Sequence, residues 1–367
     1  MSVATCDALQ SVCVPRVVKW LLAGVAFYVL GSAASGQSRL TVLCDQAARA
    51  ARRGDYKKAH EVLQGALAAG RAGEGWELPL VLRSIGDLQT EQGEFPEGQR
   101  AYWMAEQAAL RRVESGTFLP SILNNRGNLC RIVGRYAEAE SLIQRALTIR
   151  QRVSRTSPYT AISMYTLGAL YLEQSRLEEA KPLLEAAVAI LKKKHDRSQP
   201  DWSSSLRYLS EWNRERGSYA EAESLCRESL ALAKKAFGAN NVTVAASLAT
   251  LAHVLVDQRN YADAKTAAMR SLEIRRNLLK PWHPDFATTL HLLAKIHSQH
   301  REHAQAEALY TKAVEALQAL STEHPRLVPI LRSYADLMKE TNRPEDGIRL
   351  NAYADRIEQK RSAPEKE

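Results

Sequence analysis

The chain is expected to fold as an all-α solenoid of antiparallel helix pairs, and three observations point there. The heptapeptide GRYAEAE at Gly134 returns as GSYAEAE at Gly217, with looser copies at Gly93 (GEFPEGQ), Ser175 (SRLEEAK), Arg259 (RNYADAK) and Arg301 (REHAQAE). Counted on the bulky residue of each copy, Phe95, Tyr136, Leu177, Tyr219, Tyr261 and His303, the steps are 41, 41, 42, 42 and 42. A fixed period of this length marks a stack of one supersecondary unit. Small residues also fall in register in every copy. Finally, Ala, Leu, Glu, Arg and Gln dominate, and these favour helices. With 45% hydrophobic and 25% charged residues among 367, the chain can build a packed core.

The small residues form three columns. The first holds Ala47, Gly86, Gly127, Gly168, Ser210, Ala252, Ala294 and Ala335. Twelve residues on, the second holds Ala59, Gly98, Ala139, Ala180, Ala222, Ala264, Ala306 and Gly347. Seven further, the third holds Ala66, Ala105, Ala146, Ala187, Ser229, Ser271, Ala313 and Ala354. Seven residues are two helical turns, so the last two columns share one face, where a neighbouring backbone comes close. Between the first and second columns stand Gly54, Gly93, Gly134, Ser175, Gly217, Arg259, Arg301 and Asn342, placed as a helix C-terminal stop requires. Each unit is therefore a helical hairpin.

Taken in order, the first copy, Gln37 to Gly73, is short and lacks an opening proline. Pro79, Pro120, Pro158, Pro200, Pro284 and Pro325 open the first helices of six copies, and Asn241 stands in for proline in the seventh. Pro96 and Pro344 open second helices, where a missing N–H costs nothing. Pro182 falls about two turns inside a second helix, where a local bend is expected. The last copy carries Asn342-Arg343, and atypical end repeats cap a stack.

This pattern resembles the tetratricopeptide repeat over roughly residues 40 to 360. The period exceeds that family's usual ~34 residues, which longer helices explain. WHPDFATTLHLLAKI, RSQPDWSSSLRYLSE and TEHPRLVPILRSYAD are similar to the 42-residue repeats of the kinesin light chain subtype. The resemblance implies a superhelix in which the three small columns lock each helix pair. Kinesin light chains carry a heptad coiled coil before their repeats, whereas here an apolar segment leads straight into the array, so attachment to a motor is unsupported.

Residues 1–37 read as a signal peptide or membrane anchor segment. Arg16 and Lys19 precede WLLAGVAFYVL, and the small-residue run that follows contains an Ala33-x-Ser35 pattern fitting a cleavage site. The uncharged stretch from Trp20 to Ser38 is 19 residues, just enough to span a bilayer, which makes membrane contact through residues 17–36 the competing reading. A buried helix is the third. The expected location is exported, periplasmic or secreted, or membrane-anchored. The solenoid of about eight hairpins occupies 38–360, and 361–367 is expected as a disordered tail.

Little in the chain suggests chemistry. The net charge is +9, but the basic residues are dispersed and the longest run is Lys192-Lys193-Lys194, so a nucleic-acid partner is the weaker reading. The five cysteines, Cys6, Cys13, Cys44, Cys130 and Cys226, form no CxxC pair and suggest neither a disulfide framework nor a zinc site. There is no phosphate-binding loop, no G-x-S-x-G, and no second histidine after His60-Glu61 at metalloprotease spacing. His291, His297, His300 and His303 recur at near-helical spacing, but packing explains them better than a metal does. Asn241-Val242-Thr243 is a glycosylation sequon. No catalytic residue, metal or cofactor is expected, and the chain reads as a non-enzyme.

Function must then come from surface. First helices are expected to line the concave side of the superhelix. Flanking the first small column on that face are Arg83 and Asp87 in the second copy, and Asn124, Asn125, Asn128 and Arg131 in the third. Tyr165 and Thr166 follow in the fourth, then Arg207, Tyr208, Glu211 and Arg214 in the fifth. His253, His291, Lys295, Arg332 and Asp336 complete the face. Amides and arginines suit a peptide backbone, and tyrosines give contact area at low entropic cost. Asn124-Asn125 matches the Asn-Asn pair by which kinesin light chain repeats help hold peptides, and only this copy keeps it. A central patch of Asn124, Asn125, Asn128, Tyr165, Arg207 and Tyr208 is the expected site of a non-catalytic scaffold that binds peptide or protein partners. A regulatory or sensor subunit packing on an enzyme or channel, and a nucleic-acid-binding array, are the alternatives.

Overall fold

The computed structural model describes residues 38–72, 77–111, 117–193 and 199–362; the apolar segment within 1–37 lies outside them. Among the described residues there are sixteen helices and no strand. In chain order the hairpins are α1 (Arg39–Arg52) with α2 (Tyr56–Ala72), α3 (Leu78–Gln92) with α4 (Phe95–Leu110), and α5 (Leu119–Ile132) with α6 (Tyr136–Val153). Next come α7 (Pro158–Glu173) with α8 (Leu177–Lys192), and α9 (Gln199–Glu215) with α10 (Tyr219–Phe237). The last three are α11 (Val242–Asp257) with α12 (Tyr261–Leu278), α13 (Pro284–Gln299) with α14 (His303–Gln318), and α15 (Leu327–Glu340) with α16 (Pro344–Ser362). Helix α8 runs on through Pro182, and α16 reaches two residues into the expected tail. No helix among the described residues is long and apolar enough to cross a membrane.

All eight turn residues sit in the left-handed region, from Asn342 at φ 58° to Gly134 at φ 85°. Each turn closes the same way: at Gly134 its own N–H reaches the Arg131 carbonyl at 3.1 Å and the Arg135 N–H reaches Cys130 at 2.8 Å. These two hydrogen bonds satisfy carbonyls that the helix end leaves over, and they fix the angle at which the second helix returns. Every residue of the three small columns is buried. At Gly127 an added Cβ would stand 2.6 Å from Ile143 and 3.2 Å from the Ala139 carbonyl, so the paired backbones leave no room for one.

First helices touch the first helices of neighbouring hairpins, while second helices pack mainly on the first helices before and after them. First helices therefore form the inner layer of the coil. Cys130 and Cys226 lie inside the packing, and burial pushes both thiols up to about 12. Asn241 replaces proline as a cap: its Oδ1 accepts the Thr243 N–H at 2.8 Å while its Nδ2 donates to the Arg52 carbonyl at 3.0 Å. With both ends of the amide engaged and the residue 5% exposed, the sequon is closed to glycosylation in the folded chain.

Candidate functional site

A cavity of about 370 Å³ opens in the inner layer between α3, α5, α7 and α9. Asn124, Asn125, Asn128, Tyr165, Thr166 and Tyr208 line it, so five of the six residues of the expected patch meet there. Asp87 anchors one wall, accepting from Tyr102 at 2.7 Å and from Asn125 Nδ2 at 2.8 Å. Asn124, 2% exposed, accepts from Ser163 at 2.9 Å through its Oδ1. On the opposite wall Tyr165 donates to Asp201 at 3.0 Å and stacks on Tyr208, centroids 6.1 Å apart. Thr166 spends its hydroxyl on the Ile162 carbonyl of its own helix at 2.7 Å, which leaves its methyl for contact. Arg83 Nε is buried without a hydrogen-bond partner among the described residues, with Asp87 at 3.7 Å.

Six lining residues escaped the reading by first-helix faces, Ile162 and Ser204 among them. Ser121, Tyr159 and Asp201 each follow a helix-opening proline, a column in which the copies disagree. Arg150 comes from the end of a second helix, where the neighbouring copies place Ala109 and Leu191. It crosses to the next hairpin, donating to the Tyr159 carbonyl and Ser163 Oγ at 2.7 Å, and within its own hairpin it donates to Ser121 Oγ at 3.0 Å. Burial lowers its guanidinium to about 10. Arg275 repeats the arrangement with Asp285 and Thr289. Copies with Ala109 or Leu317 at this place put Ile122 or Ile330 opposite, but Leu191 and Ala233 face Ser205 and Ser247, so the copies do not co-vary and the polar pairs were not legible from them.

Most of the remaining candidates are paired within the protein itself. Arg131 clasps Asn128 Oδ1 at 3.1 and 2.9 Å and pairs with Glu173. Arg207 pairs with Glu211 at 2.7 Å and lies 3.9 Å from the centre of the Tyr208 ring. Arg214 pairs with Asp257 at 2.8 Å, and Thr250 donates to Glu211 at 2.9 Å. His291 meets Ser333 at 3.0 Å. His253 and Lys295 are half-buried in the same layer. The four clustered histidines do not converge: His297 goes to Glu302, His300 to the edge of Tyr261 and His291 to Ser333, while His303 opens α14 with its Nδ1 buried and without a hydrogen-bond partner among the described residues.

Three buried imidazoles, His253, His283 and His291, are held below the ordinary histidine range. Burial, with Arg214 adding to it, holds His253 well below the usual range; burial lowers His283 to about 4, and burial with Lys295 lowers His291 to about 3. In the unfolded chain these rings protonate near pH ~6.5. The unfolded state thus binds more protons as pH falls from there toward 4, and stability should drop by up to about 1.4 kcal/mol per pH unit for each ring. Urea midpoints at pH 7.5, 6 and 5 at fixed ionic strength check this; a flat profile would mean that the rings are solvated.

An all-α coil of eight hairpins with a polar, aromatic cavity in its inner layer defines a helical-repeat binding protein. The sequence profile of the tetratricopeptide repeat matches residues 118–193, 203–277 and 243–319, over half of the chain, and the chain belongs to the tetratricopeptide-repeat family. No curated protein matches it. Among solved structures, a Rap protein complexed with competence and sporulation factor is similar over 94% of this chain and 98% of that one, at 13% identity and a TM-score of 0.65. The apo quorum sensor NprR from B. thuringiensis is similar over 93% and 97%, at 14% identity and a TM-score of 0.53. The nearly identical TPR-like repeats of a kinesin light chain from Podosopora anserina share 22% identity over 54% of this chain and 95% of that one, at a TM-score of 0.39.

Proposed function

We propose that the chain is a non-catalytic scaffold that captures an extended segment of a peptide or protein partner in the cavity between α3, α5, α7 and α9. The carrying observation is the cavity itself: amides of Asn125 and Asn128 and the stacked Tyr165–Tyr208 pair converge on one space. A backbone laid there finds donors and acceptors for its own amides, and the rings bury its side chains. The test is selection from a random peptide library on the intact protein. Asn125→Ala with Tyr208→Ala should weaken the selected peptides by about 2–4 kcal/mol, taking each as a lost contact, with helicity unchanged. Equal capture by the double variant would move the binding surface to the convex side or the ends of the stack.

A sensor or regulatory role is the second reading, favoured by the near whole-length fold likeness to a Rap protein bound to competence and sporulation factor and to the quorum sensor NprR. We further propose that residues 1–37 export the chain or hold it at a membrane; N-terminal sequencing that found Met1 intact in a soluble cytosolic fraction would exclude both.

A further inference from the structure

The two turns of the superhelix touch each other, and the contact recurs. Asn241 Nδ2 donates to the Arg52 carbonyl at 3.0 Å, and Trp282 Nε1 donates to the Gly93 carbonyl at 3.1 Å. His324 Nε2 stands 2.9 Å from the Ile132 carbonyl. His324 Nδ1 accepts the Arg326 N–H at 3.2 Å, so Nε2 carries the proton and donates. The partners are 189, 189 and 192 residues apart, and each donor sits in the loop before α11, α13 or α15. Each acceptor lies at the end of α1, α3 or α5, where helix carbonyls lack internal partners. Packing follows the same joints. Leu278 lies against the Gly54 turn, Lys280 and His283 against the Gly93 turn, and Pro325 so close to Gly134 that a Cβ there would collide with its ring.

An ionic cluster crosses the same gap. Arg326, in the loop before α15, pairs with Glu173 at 2.8 Å and with Asp285 at 2.9 Å. Glu173 also holds Arg131 and accepts from Tyr136 at 3.0 Å. Arg131 then reaches the cavity, through Asn128 and through Tyr208 at 3.5 Å. In a repeat array, neighbouring hairpins fix only a small rotation per unit, so the pitch over a whole turn is soft. Contacts between turns are what hold it shut.

We propose that repeats six to eight latch onto repeats one to three to hold the array as a closed coil, and that Arg131 couples this latch to the cavity. The latch stands apart from the peptide-capture reading; only the coupling's purpose rests on it. The test uses the full chain without ligand. In Trp282→Phe with Arg326→Ala, circular dichroism should be unchanged and the radius of gyration from solution scattering should grow. Amide exchange at the Gly54, Gly93 and Gly134 turns should quicken about tenfold while the unlatched Gly217 and Arg259 turns keep their rates. Trp282→Phe alone should give a smaller change of the same pattern, which guards against a folding defect in the double variant. Faster exchange at all five turns alike, or at none, would overturn the latch. Asn128→Ala, a cavity substitution, should quicken exchange at the distant Gly54 and Gly93 turns about threefold. Unchanged rates there would overturn the coupling and leave the latch standing.

Discussion

Glu173→Ala should destabilise the protein by about 3–5 kcal/mol, because it leaves the Arg131 guanidinium without its counter-ion in the inner layer and leaves Arg326 with Asp285 alone. Glu173 sits at the end of α7 with its side chain 21% exposed, between Arg131 at 7% and Arg326 at 15%. Burial alone would raise its carboxyl, but Arg131 and Arg326 outweigh burial and hold it below the ordinary carboxylate range. Its contribution is therefore complete above the unfolded-state value of ~4.3 and is lost as pH falls through the lower folded value. Glu173→Gln keeps an acceptor for the Tyr136 hydroxyl but no charge, and should fall between wild type and alanine. The urea midpoint at pH 7 reads the effect. A loss below ~1 kcal/mol would class the cluster with solvated surface pairs.

Leu184→Ala should cost about 2–5 kcal/mol by opening a cavity in a fully buried part of the core. Leu184 on α8 faces Gly168 on α7, where an added Cβ would stand 2.7 Å from the leucine Cδ2. Gly168→Ala alone should therefore cost about 1–3 kcal/mol by overpacking. The two defects are opposite in sign at one contact. Combined, they should destabilise less than the sum of the singles by at least about 0.5 kcal/mol, as coupled neighbours do. Strict additivity in the double-mutant cycle would show that the small column does not set the distance between paired helices.

Much of the site was legible in part. Asn124, Asn125, Asn128, Tyr165 and Tyr208 could be read because they flank a small column at helical spacing. Ser121, Tyr159 and Asp201 could have been found by asking where copies differ just after the proline. Arg207, Glu211 and Arg214 are as polar and similarly spaced, yet Arg207 and Glu211 pair with each other and Arg214 pairs with Asp257. Side-chain type alone does not say whether a charge is offered to a partner or spent at home.

The sequence by itself determined the hairpins, the eight left-handed turns and the buried columns, since each depends on contacts within one ~42-residue unit and the unit repeats. Only the tertiary structure decided that Arg326 meets Glu173, that Asn241 caps both its own helix and α1, and that half of the inner polar face is consumed inside the coil. Those contacts join residues 153 and 189 positions apart. They depend on small rotations accumulated over four to five hairpins, a sum that no single repeat encodes.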